Sequence, residues 1–314
     1  MNVSPPTVSV ILPVFNRLQY LRAAVASVFQ QSFTDWELII ADDGSNDGTK
    51  DYLGSLDRSP RVKVLCLAHT GNPAAVRNAA LREARGEFVA FLDSDDEWLP
   101  HKLTRQIEML REQPHRLWCY SPVAHMDKDG NAAPRKPRAR RAARSGAVFE
   151  QIARWEAAIA MPTVIAQRQL VERVGRFDER QLMHEDCDLW LKLARESEVS
   201  IVDSPLSRVR HHGSHYSATG ERALRDWIGL FEKWQGLVPE PRWKRVFECQ
   251  RARCTTLLAR HYAARREIAS AFRIIASSAR HFWSCPEWWL GNAIALARLV
   301  VPTRLFNTSR RSFG

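Results

Sequence analysis

The heptapeptide Val8–Val14, VSVILPV, is apolar almost without interruption, and a run of that length suits a strand buried on both faces of a sheet. The pattern recurs at residues 37–41 (ELIIA), 62–67 (VKVLCL) and 87–92 (EFVAFL), with helical spacing in between. Behind the first run, Leu21, Val25, Val28 and Phe29 fall on one helical face, and Asn16 is placed to cap that helix. Residues 51–56 and 73–84 supply the next two helices. Strands this apolar must be covered on both sides, so the first hundred residues read as an α/β fold with a parallel sheet flanked by helices.

Residues 102–111 continue as a helix and 117–120 as a strand, and Asp127 to Asn131 (DKDGN) is a hairpin-turn signal. The basic segment 135–144 (RKPRARRAAR) has no apolar face; it reads as a solvated loop or as part of a surface that holds an anionic acceptor or membrane. Residues 149–158 and 169–174 suit helices, 175–179 (GRFDE) a turn, His184 onward a helix carrying Leu189, Trp190 and Leu193, and 199–202 a strand. Beyond about residue 216, helical spacing takes over, with Phe247, Leu257, Leu258, Tyr262, Ile268, Phe272 and Ile275 as packing positions. Two domains are therefore expected, 1–217 and an α-helical 218–314.

The formal charge of +11 is unevenly spread. The first hundred residues hold 9 Lys and Arg against 13 Asp and Glu, whereas residues 201–314 hold 19 against 8. The last third is thus the part suited to an anionic partner. An acidic first third excludes a nucleic-acid groove there, because carboxylates repel phosphates unless a cation lies between them. The six cysteines form no CxxC pair and no zinc-like set with histidine, and the N-terminus lacks a basic leader, so a reducing cytoplasmic setting is expected. No stretch reaches the roughly 18 uninterrupted apolar residues a membrane span needs; residues 288–301 come nearest and contain Arg298.

Two acidic clusters, Asp42-Asp43 and Asp93-Ser94-Asp95-Asp96, directly follow strands of this sheet. Such residues serve well in turns and helix caps. In open α/β sheets, however, ligands bind outside the carboxyl ends of the strands, and two clusters at equivalent ends point into one crevice. Asp93 and Asp95 offer hard oxygen ligands for Mg²⁺ or Mn²⁺, and an ion held there can neutralise a diphosphate. No P-loop follows the first strand, and no Gly-x-Gly-x-x-Gly. A third cluster, Glu185-Asp186-Cys187-Asp188, stands at a helix start, where the macrodipole by itself favours carboxylates. His211, His212 and His215 add imidazoles that can ligate the same ion.

Read in order, VSVILPVFNR, WELIIADDGSNDGT, NPAAVRNAALREARGEFVAFLDSDDEWLP, VGRFDE, EDCDLWLKL and VRHHGSHYS resemble the family 2 glycosyltransferases of GT-A fold, over about residues 7 to 217. The resemblance implies an inverting transferase that takes a sugar from a nucleotide-diphosphate donor, commonly a UDP-sugar, with Mn²⁺ or Mg²⁺. The acceptor it implies is a hydroxyl of a glycan or lipid-linked molecule in cell-surface polysaccharide or lipopolysaccharide synthesis. On this resemblance Pro13, Phe15 and Asn16 line the nucleotide pocket, Asp43 binds the base with support from Asp42, and Arg77 lies on the nucleotide side. Asp93, Ser94 and Asp95 form the DxD segment, Asp95 as the direct metal ligand and Asp93 nearer the ribose while sharing the ion. Asp186 is the general base, Glu185 orients it or the acceptor, and Trp190 packs beneath their helix. His212 completes the metal shell and Arg210 lies close to the diphosphate. The family often has Tyr-Arg before that histidine, whereas here Val209 precedes Arg210, and the adjacent His211 leaves the choice between the two imidazoles open.

The last hundred residues match none of these motifs. Trp283, Trp288, Trp289, Leu290, Leu296, Leu299 and Val300 lie among Arg280, Arg298, Arg304, Arg310 and Arg311. This reads either as an interfacial segment on anionic lipid, which would place the protein peripherally on the cytoplasmic membrane face, or as a terminal helix docked on the catalytic domain. Two rival functions fit less well. A nucleotidyltransferase would need a glycine-rich basic loop where Asn16-Arg17-Leu18 stands, and a nucleic-acid binder would leave three acidic clusters unexplained.

Overall fold

The computed structural model describes residues 4–56, 59–133, 145–212 and 220–279, with Cys285 and Ala293. The basic segment 135–144, the motif beyond His212 and the Trp-rich stretch, apart from Cys285 and Ala293, lie outside the described residues. The chain divides into two compact units, Met1–Ser214 and His215–Gly314.

In the first unit, β1 (Val8–Val14), α1 (Leu18–Phe29), β2 (Trp36–Asp42), α2 (Thr49–Leu56), β3 (Val62–Cys66), α3 (Pro73–Glu83) and β4 (Phe88–Phe91) alternate as the apolar runs require. β5 (Glu97–Trp98), α4 (Lys102–Glu112), β6 (Trp118–Tyr120), β7 (Val123–Met126), α5 (Phe149–Ala153), β8 (Ile165–Gln167), α6 (Arg168–Arg173), α7 (Glu185–Glu196), β9 (Val199–Ile201) and β10 (Ser207–Arg210) follow. The main sheet has the order β3-β2-β1-β4-β8-β6-β9. β3, β2, β1 and β4 run parallel, β8 is antiparallel to both β4 and β6, and β9 is parallel to β6. The fold is the expected α/β arrangement, a mostly parallel sheet flanked by helices. β1 and β2 are buried along nearly their whole length, which is why their sequences do not alternate.

The chain passes from β1 outward to β2 and β3, then returns to β4 on the other side of β1. That reversal opens a crevice at the carboxyl ends of β1, β2 and β4. Pairing of β1 with β4 ends at Ile11–Phe91, so Pro13 lies where that ladder is already finished and its missing N–H breaks no rung on that side. A small second sheet, β5-β10-β7, brings the end of β10 against the residues that follow the Asp93 cluster. Trp190 of α7 packs against Phe91 and Trp118, with Trp118 and Trp190 stacked at 6.1 Å.

Three readings are corrected. Asn16 does not cap α1: it adopts φ +49°, its Oδ1 accepts from the Asn46 amide, and Asp47 takes over the helix start by accepting from Leu18 N at 3.0 Å. The helix expected over 149–158 stops at Ala153, because Trp155 turns to φ +63° and sends the chain into the core, where Ile159 O accepts from Trp190 Nε1. Ile268 and Phe272, read as packing positions, are about half exposed at 51% and 52%.

In the second unit, α8 (Glu221–Leu237), α9 (Pro241–Ala264) and α10 (Ile268–Ser278) pack around Leu258, Ala259, Tyr262, Ala263 and Ala271. Tyr262 Oη donates to Glu221 at 2.5 Å and accepts from Arg225 at 2.7 Å. No helix among the described residues is long and apolar enough to cross a membrane.

The turn into β4 is held by Ser9, whose Oγ accepts from Gly86 N and donates to the buried Glu37 carboxylate, itself gripped by Arg85. A Cβ at Gly86 would lie 2.5 Å from Ser9 N and 2.8 Å from Val8 C, both backbone atoms. Gly86→Ala is therefore expected to destabilise the fold by about 1–3 kcal/mol, read as a lower urea midpoint with unchanged slope.

Candidate active site

α3 organises the crevice. Asn72 caps it by accepting from Ala74 N and Ala75 N, and Pro73 occupies the first helical position. One turn on, Arg77 is buried and bridges two carboxylates: Nη2 donates to Asp93 Oδ1 and Nη1 to Glu185 Oε1, both at 2.6 Å. Its Nε has no partner among the described residues. The adjacent Asn78 exchanges hydrogen bonds with the backbone of Phe177 and donates to Glu179, while Asn72 donates to Glu179 O. A single helix thus ties the Asp93 segment to the turn before α7 and to the Glu185-Asp186 pair at the start of α7.

On the β4 side, Asp95 and His212 meet, with Oδ2 and Nε2 2.9 Å apart. The Tyr20 ring stacks on His212 at 5.0 Å, and the Arg210 guanidinium lies 4.9 Å from the Tyr20 centroid. His211 turns away to His125, 2.8 Å between ring nitrogens, so His212 is the imidazole that faces Asp95. Arg210 is buried and spent within the protein: N donates to Asp96, Nε to Asp95 O, Nη1 to Lys128 O and Nη2 to Glu97 at 2.6 Å. It holds the Asp95–Glu97 turn in place, and Arg208 pairs with the same Glu97. Asp93, expected to share a metal with Asp95 and His212, is turned to Arg77. Among the described residues no group of three or more His, Cys, Asp or Glu side chains is gathered as a metal shell.

At the ends of β1 and β2, Asp42 is fully buried and accepts from Ser45 N. Asn16 N donates to Ser45 Oγ, which draws the end of β1 toward that turn. Asp43 accepts from Thr70 N, Thr70 Oγ1 and Gly71 N at 2.8–2.9 Å and lies 3.0 Å from His69 Nδ1. Ser94 is buried between Asp93 and Asp95, and Pro13 is half-buried beside Phe15.

Packing so many carboxylates out of water raises their proton affinity. Burial pushes Asp186 up to about 7, and the neighbouring Glu185 charge adds to this against a 2.6 Å bond from Cys187 N. Asp96 is driven well above its ordinary range by burial and then by Asp93 and Asp95. Asp93 and Glu185 are also raised by burial, although Arg77 opposes it. Burial disfavours the Arg77 charge, but Asp93 and Glu185 outweigh it and hold the guanidinium protonated.

Tyr20, His69, Asn78, His125 and Glu97 belong to this region and escaped the sequence reading. Asn78 left a trace, since a polar residue on an apolar helical face needs a buried partner. The other four depend on contacts between distant segments.

The glycosyl transferase family 2 profile matches residues 9–174, more than half of the chain. The chain belongs to this family. It is 41% identical over 103 residues to the UDP-Glc:alpha-D-GlcNAc-diphosphoundecaprenol beta-1,3-glucosyltransferase WfgD of Escherichia coli, covering 33% of this chain and 40% of that protein. The chain spans only a third to a half of the length of most of the curated relatives it matches, and 73% of two of them. Among solved structures, S. aureus TarS residues 1–349 with UDP-GlcNAc shares 18% identity and a TM-score of 0.65, covering 97% of this chain and 93% of that one. The mannosyltransferase PcManGT of Pyrobaculum calidifontis with GDP-Man and Mn²⁺ gives 18% and 0.61, covering 97% and 88%. At these identities the structures speak for the fold.

Replacing Arg77 with Gln strands the buried Glu185 carboxylate and the half-buried Asp93 carboxylate without their cation. The expected loss is about 3–5 kcal/mol of unfolding free energy at pH 7. It should shrink as pH falls and Asp93 and Glu185 take up protons, measurable by urea titration at both pH values.

Proposed function

We propose that the chain transfers a sugar from a nucleoside-diphosphate donor to a hydroxyl of a glycan or lipid-linked acceptor, inverting the anomeric centre in one displacement. The observation that carries this reading is the Asp93–Arg77–Glu185 bridge, which holds a donor-side motif and a base-bearing helix start on one guanidinium. Support for the substrate classes comes from WfgD, whose name specifies UDP-Glc and a diphosphoundecaprenol acceptor, and from TarS, solved with UDP-GlcNAc.

Asp186 takes the proton from the acceptor hydroxyl as that oxygen attacks the anomeric carbon, opposite the departing diphosphate. Glu185, fixed by Arg77, keeps Asp186 basic through its charge and sets the start of α7. Asp95 and His212 suit a Mg²⁺ or Mn²⁺ ion, because such ions take one or two protein ligands and complete their shell with phosphate oxygens and water. Bound there, the ion would neutralise charge on the leaving diphosphate. The second unit is basic and leaves Ile268 and Phe272 exposed, which supports peripheral contact with an anionic membrane on its cytoplasmic face.

Asp186 is a base only when ionised, so kcat/KM should rise from acid toward neutral pH with an inflection near 7. Asp186→Asn should abolish that inflection and lower turnover by about 10²–10⁴, with nucleoside-diphosphate binding retained. Near-normal turnover in that variant would remove Asp186 from the mechanism. In thermal unfolding, one nucleoside diphosphate should stabilise the wild type only with Mn²⁺, and Asp95→Ala should lose the effect. On anionic liposomes, the double variant Ile268→Glu, Phe272→Glu should float less than the wild type; equal flotation would remove α10 from membrane contact.

A further inference from the structure

Cys249 and Cys285 stand 36 positions apart in the chain, yet their Sγ atoms lie 2.8 Å from one another. Even two carbon atoms in non-bonded contact rest at about 3.5–4.0 Å. The sulfurs of a disulfide are about 2.04 Å apart, so less than about 1 Å of closure remains. Cys285 is 1% exposed, and Ala252 of α9 and Ile275 of α10 belong to the apolar cluster around the pair. Cys249 is half-buried, which gives one of the two sulfurs a route to solvent.

A single buried cysteine is core filling, since its thiol packs as a small hydrophobe. Two cysteines that meet sulfur to sulfur, one sealed and one reachable, are the layout of an attacking and a resolving thiol. The position on α9 adds to this. Arg245 and Arg253 lie one turn before and one turn after Cys249 on the same helical face, and both are exposed. Their guanidinium groups attract an anionic oxidant such as glutathione disulfide, which carries carboxylates. Cys254, on the same helix, is the contrast: it is fully buried, and burial pushes its thiol up to about 12, so it stays inert.

We infer that Cys249 and Cys285 are a redox pair that a low-molecular-weight disulfide closes into an intramolecular bond, locking α10 onto α9. The Cys249 thiolate attacks one sulfur of glutathione disulfide, forming a mixed disulfide and releasing a glutathione thiolate. The Cys285 thiolate then attacks the Cys249 sulfur and expels the second glutathione. Two protein thiols are oxidised, one small disulfide is reduced, and the two protons pass to the departing glutathione thiolates. The loop so closed contains the whole of α10, Ile268–Ser278. Restricting the unfolded chain over that loop stabilises the second unit.

The test treats the folded full chain with glutathione disulfide, blocks the remaining thiols with iodoacetamide and maps unreduced peptides by mass spectrometry. A link between the Cys249 and Cys285 peptides of one chain is expected. The exposed Cys66 can take a glutathione of its own, so the readout is the linked peptide and not total thiol loss. Oxidation should also raise the thermal midpoint by about 5–15 °C, and Cys249→Ser or Cys285→Ser should lose both the link and the shift. Cys249 left as a thiol, Cys249 carrying glutathione with no link to Cys285, or a link from either to Cys254 overturns the pair. A link with an unmoved midpoint overturns the lock on α10.

Discussion

A buried guanidinium between two carboxylates is the interaction on which the crevice depends. Arg77 reaches Asp93 on one side and Glu185 on the other at 2.6 Å, with all three groups largely removed from water. Taking such ions out of water costs several kcal/mol each, recovered only when geometry and partners are good. The arrangement is therefore weak as a source of stability and strong as a constraint on position. Asn78, one residue on, adds reciprocal hydrogen bonds to Phe177, so the turn before α7 and the start of α7 are located by neighbouring residues of α3.

Negative charge is concentrated around this bridge. Asp93, Asp95, Asp96, Glu185 and Asp186 crowd the strand ends, and burial lifts four of them above their ordinary proton affinities. Arg77 and Arg210 compensate differently. Arg77 joins two motifs, whereas Arg210 stitches the β4–β5 turn to β10 through backbone carbonyls and Glu97. The outcome is a carboxylate, Asp186, whose proton affinity is pushed up to about 7, and separately an Asp95 side chain paired with His212. Under the proposed mechanism these are the two chemical demands of a displacement at a sugar carbon: a base for the acceptor, and neutralisation of the departing diphosphate.

Much of this was legible in the chain. Unbroken apolar runs must be doubly covered strands, so β1 to β4 and their helices follow from hydrophobicity alone. The ends of those runs put Asp42, Asp43, Asp93 and Asp95 at one edge. Short antiparallel β8 and the three-residue-scale pairings of β5, β7 and β10 were not legible, because strands of two to four residues leave no usable period. Asn16 shows the limit of local rules: as a cap it was plausible, but Asp47, 29 residues beyond Leu18, supplies the acceptor instead.

Local chemistry along the chain was enough to set the fold class, the strand ends and the residue types available for acid–base and metal chemistry, since period and composition act over neighbouring residues. The pairing of those residues was decided by packing across long separations. Arg77 meets Glu185 across 108 positions and His212 meets Asp95 across 117. His69 comes to rest on Phe15 because Gly44 lets one loop descend onto another strand's end. Such contacts depend on sheet order and the exclusion of water, and neither is written in any window of sequence.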